Sequence, residues 1–269
     1  MFLLLKLVLV PGLIALVTLA GRRFGPRVGG WLNALPLVAG PALFFLALEQ
    51  GNVFVARAAE ATLPGLAAVA AFTVIYSWTA VTRRWWLCVL VGWTGFGVLT
   101  IALQAVPWTA TSGLALALTA FGVARFLLPR LPEAPPPARA PAWDLPLRMA
   151  SAVALVLAVT GLATRLGPRL AGAITPFPIA TTILLAFTHA QQGASAAVGF
   201  LRAFLPAMWS FVLFCFVLAV GVVGLGRDLA FLLALALSLT AQGVVWLGLE
   251  AAASRETARR GPRGAHRSA

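Results

Sequence analysis

The chain is short of charge. Of its 269 residues only 10% are Asp, Glu, Lys or Arg, well below the share that solvates the surface of a water-soluble domain. Lysine occurs once, at Lys6, and histidine and cysteine occur twice each. Cys88 and Cys215 sit inside apolar runs with no Cys or His close by, so they read as small core residues, neither bridged nor metal-bound. The seven acids form no paired-carboxylate signature, and neither a phosphate-cradling Gly-Lys-Ser/Thr loop nor a His-Glu-x-x-His run occurs. These absences argue against an enzyme, a metal or another cofactor, and against an ATP-driven pump that works without a partner subunit.

What the chain has is apolar length. Hydrophobic residues make up 61% of it, and the expected fold class is an all-α polytopic membrane protein. A crossing takes about 20 residues, which leaves room for nine or ten helices and for no soluble domain. Apolar runs fall at 2–20, 31–50, 61–81, 85–105, 109–128, 147–164, 173–192, 200–223 and 228–250, which makes nine spans. Met1 to Ala20 lacks the basic start and small-residue cleavage site of a signal peptide and reads as a retained helix. Seven prolines between Pro129 and Pro146 exclude a helix there and place that linker outside the hydrocarbon. Residues 251–269 read as a polar, basic tail without ordered structure.

A sequence repeat divides the chain. Arg23-Phe24-Gly25-Pro26-Arg27 returns 142 residues later as Arg165-Leu166-Gly167-Pro168-Arg169. The same offset relates Gln50-Gly51 to Gln192-Gly193 and Leu63-Pro64 to Leu205-Pro206, which read as breakers punctuating both halves. The first repeat covers 1–105 and holds spans one to four. Span five and the Pro-rich loop fill 106–146, and the second repeat covers 147–250 with spans six to nine. Five crossings separate equivalent points, so the second half enters the membrane from the opposite side and the repeat is inverted.

The basic residues agree with this parity. Fifteen Arg, from Arg22 to the five tail residues Arg255, Arg259, Arg260, Arg263 and Arg267, fall on one side; Lys6, Arg57, Arg165, Arg169 and Arg227 fall on the other. Positive charge collects in the cytoplasm, so the N-terminus is outside and the C-terminus inside. The formal charge of +13 is accounted for by lipid headgroups and orientation, without nucleic acid. Arg-rich, Lys-poor, Ala- and Gly-rich composition fits a bacterial inner membrane. Trp31, Trp85, Trp86, Trp108, Trp143 and Trp246 lie near span ends as an interfacial belt, and Gly92, Gly95 and Gly97 invite close helix packing.

Chemistry is expected where the helices break. Span two contains Asn33, Pro36 and Pro41, and span seven contains Thr175, Pro176, Pro178, Thr181 and Thr182. Proline removes a backbone donor and obstructs the helix ladder, so carbonyls are freed for protein, water or a ligand. Equivalent breaks in two halves are where transporters form substrate sites. Further along, Glu49 and Gln50 close span two while His189, Gln191 and Gln192 close span seven, as candidate coupling residues. Tyr76, Ser77, Thr100, Gln104, Ser210 and Gln242 are weaker intramembrane signals, more typical of bonds between helices.

Ala171-Gly172-Ala173-Ile174-Thr175-Pro176-Phe177-Pro178-Ile179, followed by Gly199-Phe200-Leu201-Arg202 and Met208-Trp209-Ser210-Phe211, resembles the small GlpM-like bacterial inner-membrane proteins. The resemblance covers 170–220 and, through the repeat, extends loosely over 28–80. It implies a membrane protein of two fused four-span units and names no substrate. The first half has Ala67-Ala68 where the second has Trp209-Ser210, so any role of that pair is one-sided.

The function expected is secondary transport of a small solute or ion by alternating access between inverted repeats, with proton coupling open at His189. Its partners are the bilayer, the solute and, as an open option, a second copy in a homodimer. The alternative is a non-transporting scaffold for an envelope-biosynthesis complex, held to its partner by the basic tail.

Overall fold

The computed structural model describes residues 2–36, 39–103, 105–132, 141–158 and 178–260, and among these there is helix and no strand. The helices are α1 (Phe2–Phe24), α2 (Pro26–Asn33), α3 (Ala39–Gln50), α4 (Asn52–Ala80), α5 (Trp85–Leu103), α6 (Ala110–Leu127), α7 (144–158), α8 (Ile179–Gln192), α9 (Ala194–Gly221) and α10 (Arg227–Arg260). Six of them, α1, α4, α5, α6, α9 and α10, are long and apolar enough to cross a membrane. The architecture is that of a helical, multi-pass membrane protein. The expected second span is split into α2 and α3, of 8 and 12 residues, and α8 has 14.

Helices α4 and α9 form the centre. Just over half of each apolar stretch, 56%, is buried within the protein, against 28% for α5 and α10. α4 packs on α5, α6 and α9, while α9 packs on α2, α6, α8 and α10. Lipid is as apolar as leucine, so association inside a bilayer depends on close contact more than on the hydrophobic effect. Small residues supply that closeness: Ala67, Ala68 and Ala70 are buried on α4, and Ala196, Ala197, Ala203 and Ala207 on α9. Gly113 of α6 lies against Leu63 and Pro64, where an added Cβ would meet Leu63 Cβ at 3.0 Å. A Cβ at Gly92 would meet the Phe72 ring at 2.9 Å and one at Gly95 would strike Ile75, whereas Gly97 faces open space.

The helix starts explain themselves locally. Thr109 caps α6, its hydroxyl accepting from the Ser112 amide at 3.2 Å while Ser112 Oγ accepts from the Thr109 amide at 2.9 Å. α4 and α9 each follow a glycine with φ 84°, Gly51 and Gly193, a conformation open to glycine and strained for other residues. Pro64 and Pro206, expected as breakers, lie instead inside α4 and α9, which begin earlier than expected at Asn52 and Ala194. Proline within such a helix is tolerated when neighbouring helices cover the freed backbone, as Gly113 of α6 does at Pro64.

The two central helices run antiparallel. Trp78, near the end of α4, donates its indole N–H to the Leu127 carbonyl at 2.7 Å, and Arg202, near the start of α9, donates to the Pro129 carbonyl at 3.2 Å. The end of one and the start of the other therefore share the level where α6 ends.

The expected unstructured tail is corrected in part, because α10 continues past Glu250 to Arg260. Ala251, Ala252 and Ala253 are strong helix formers.

Candidate functional site between the helix breaks

The first break follows Asn33. The amides of Ala34 and Leu35 reach back three residues, to Trp31 O at 3.4 Å and Leu32 O at 3.2 Å, which tightens the last turn. Pro36 has no amide to continue the ladder, and its carbonyl accepts from Gly40 at 2.8 Å as α3 begins. Pro41 was expected within the break, yet it occupies the first turn of α3, where a missing N–H costs no intrahelical bond. Pro178 stands before α8, and its carbonyl accepts from Thr182 at 2.8 Å as that helix starts. Thr175 and Pro176 lie outside the described residues.

The end of α2 meets the start of α8. Asn33 Nδ2 donates to Thr181 Oγ1 at 2.8 Å, a buried bond between residues 148 positions apart. Thr182 Oγ1 beside it accepts from the Trp93 indole of α5 at 3.1 Å. Asn33 Oδ1 is buried and has no hydrogen-bond partner. α2 is held in place by Trp31, which exchanges two bonds with Gln242 of α10: indole N–H to Gln242 O at 3.1 Å, and Gln242 Nε2 to Trp31 O at 2.6 Å. Trp31 also packs on Trp246 with centroids 5.0 Å apart and the rings tilted by 55°, so this pair clamps α2 to α10, where a lipid-interface belt was expected. Trp85, Trp86 and Trp143 are exposed.

The coupling candidates separate into two groups. His189 Nδ1 lies 3.3 Å from the hydroxyl of Tyr76, a fully buried side chain of α4. Gln191 donates its amide to Asp144, and Gln192 lines a cavity described below. Glu49 and Gln50 are exposed at the end of α3 and join none of this. α8 ends where α9 begins, whereas α3 lies by the start of α10, with Arg227 5.2 Å over the Phe44 ring. The 28 residues of α9 separate these ends by about 40 Å at 1.5 Å per residue.

Asp144 is the centre of a cluster that the sequence reading did not single out. Its carboxylate is fully buried, takes the Nε–H of Arg148 at 2.9 Å to each oxygen, and accepts from Arg22 of α1 and Gln191 of α8. Burial pushes this carboxyl upward, but the bonds from Arg22, Gln191 and Arg148 together outweigh that and hold it below the ordinary 3.8. Arg148, 3% exposed, also lies 4.8 Å over the Phe187 ring. The i,i+4 spacing of Asp144 and Arg148 was a legible signal; Arg22 and Gln191 reach them only through the fold. A cavity of about 240 Å³ opens beside the cluster, lined by Thr18, Arg22, Arg148, Thr188, Gln191 and Gln192, with Val17, Leu184 and Phe200 on its apolar side.

Of the weaker polar signals, Ser77 and Ser210 bond within their own helices, to Thr73 O and Ala207 O. Gln104 lies outside the described residues. Among the described residues no three His, Cys, Asp or Glu gather at one place. No family model matches the chain, and no curated protein or solved structure does either.

Proposed function

We propose that this is a secondary transporter of a small solute or ion, built from two inverted repeats that alternate access around the paired helix breaks. The observation that supports the reading is the Asn33–Thr181 bond, which joins the end of α2 to the first turn of α8 at a buried point. An internal twofold relation supports the repeat. Gly51 and Gly193, 142 residues apart, share φ 84°, and α4 and α9 after them are antiparallel. The contacts of α5 with α8 and of α10 with α3 are the same pairing with the halves exchanged.

In this reading α2 and α3 together form the second crossing, α7 opens the sixth, and nine crossings leave the C-terminus in the cytoplasm of a bacterial inner membrane. The fusion of two GlpM-like units through α6 belongs to the same proposal. The Tyr76–His189 pair is the proton-coupling element, since Asp144, held below 3.8, keeps its charge through the pH range in which a histidine titrates.

The test needs no knowledge of the solute. Thr181→Cys, in a protein whose buried Cys88 and Cys215 are changed to Ser, is labelled with a membrane-impermeant maleimide in right-side-out and in inverted vesicles. Labelling from both faces is expected. Labelling from one face alone, or from neither, overturns alternating access at this point.

A further inference from the structure

We infer that the cavity beside Asp144 is a binding site for a small oxyanion, a carboxylate or phosphate group seated between Arg22 and Arg148. Two guanidinium groups line it, and among the described residues the carboxylate bonded to them is Asp144, one negative charge against two positive. Arg148 is buried and Arg22 partly so, and a charge drawn away from water is costly unless a counter-ion or ligand completes it.

The hydrogen-bond donors point the same way. Arg22 Nε is buried without a partner, and so is the hydroxyl of Thr18, itself 5% exposed, one helical turn before Arg22 on the same face of α1. Both residues line the cavity. Asp144 takes Arg22 Nη2 and Arg148 Nε, while Arg22 Nε and Thr18 Oγ1 remain to offer a second acceptor. Pro26 and Gly29 bring the first turn of α2 to the wall, where the helix dipole favours negative charge. Gln192 and Thr188 add neutral polar groups.

At about 240 Å³ the space is below the usual range for drug-sized ligands, about 300–1,000 Å³, and suits phosphate or a short carboxylic acid. Val17, Leu184 and Phe200 face the carbon end of such an acid. Anion binding here stands on the geometry alone; that the anion is the transported solute rests on the transporter reading.

The full chain in phosphatidylcholine nanodiscs is titrated with inorganic phosphate and with succinate, reading the unfolding temperature and the heat of binding, with chloride as control. Saturable binding of phosphate or succinate is expected. It should weaken about five- to tenfold in Thr18→Val, a shape-conserving change that removes one donor, and more than tenfold in Arg22→Gln. Thermal stabilisation that arises only when phosphatidylglycerol is added keeps the oxyanion site and assigns it to a lipid headgroup. No binding of either anion and no effect of phosphatidylglycerol overturns the inference, as does equal binding by wild type and both variants. Binding without two-sided labelling of Thr181→Cys keeps the site and removes the transporter; two-sided labelling without binding does the reverse.

Discussion

α3 and α8 end at positions 142 residues apart, Gln50 and Gln192, and both are followed by a glycine of the same φ, yet their last turns have different surroundings. Gln191 is bonded to Asp144 and Gln192 lines the cavity, whereas Glu49 and Gln50 are exposed. The helix ends alone do not produce this difference. The position 142 residues before Asp144 is Phe2, so the first half has no carboxylate to gather an equivalent cluster. Arg148 corresponds to Lys6, which keeps a positive charge there but not the guanidinium whose Nε–H meets both Asp144 oxygens. One of the two helix ends thus carries a charged site, and the difference comes from residues at the edge of the linker.

Removing the cluster's centre should separate the two ends most. Asp144→Ala leaves the buried Arg148 without its counter-charge and should cost about 3–5 kcal/mol of stability in detergent, while Glu49→Ala should change nothing measurable. Equal melting temperatures for the two variants would show that the charged end is no more built than the exposed one. Next comes the seating of the break. A Cβ at Gly30 would collide with the Phe200 carbonyl, so Gly30→Ala should cost about 1–3 kcal/mol. Gly40, across the same break, would place its Cβ 3.5 Å from the Phe214 ring, an ordinary contact, and Gly40→Ala should be tolerated. Thermal unfolding of both variants checks this.

A smaller effect is expected at the junction itself. A double-mutant cycle with Asn33→Ala and Thr181→Val should return a coupling of about 0.5–1.5 kcal/mol, and additive losses would mean the breaks merely lie side by side. Smallest within the physiological range is the response to pH. A carboxyl lowered on folding stabilises the protein above its unfolded value and loses that contribution as pH falls through the folded one. The stability difference between wild type and Asp144→Asn should therefore stay constant from pH 8 to 5 and shrink only below about pH 4. A difference that already fades near pH 6 would point to histidine instead.

Much of the frame was legible because apolar length and the proline and glycine pattern act locally. Trp85 and Arg227 begin α5 and α10 at the 142-residue spacing, and the run at 109–128 became α6 within a residue at each end. Local rules failed where neighbours decide. Pro64 reads as a breaker until Gly113 is packed against it, Trp31 reads as a lipid anchor until Gln242 is beside it, and Glu49 and His189 look alike as polar residues near span ends. Arg22 was counted for orientation, and its bond to a residue 122 positions away has no trace in local pattern.

The sequence by itself determined that the chain is a bundle of apolar helices, since backbone hydrogen bonding and hydrophobic length depend on neighbours along the chain. The tertiary structure alone decided which interruptions meet and which charges share a buried space. Those depend on distances through space between residues more than a hundred positions apart, and a single carboxylate, Asp144, turns three scattered polar residues into one site.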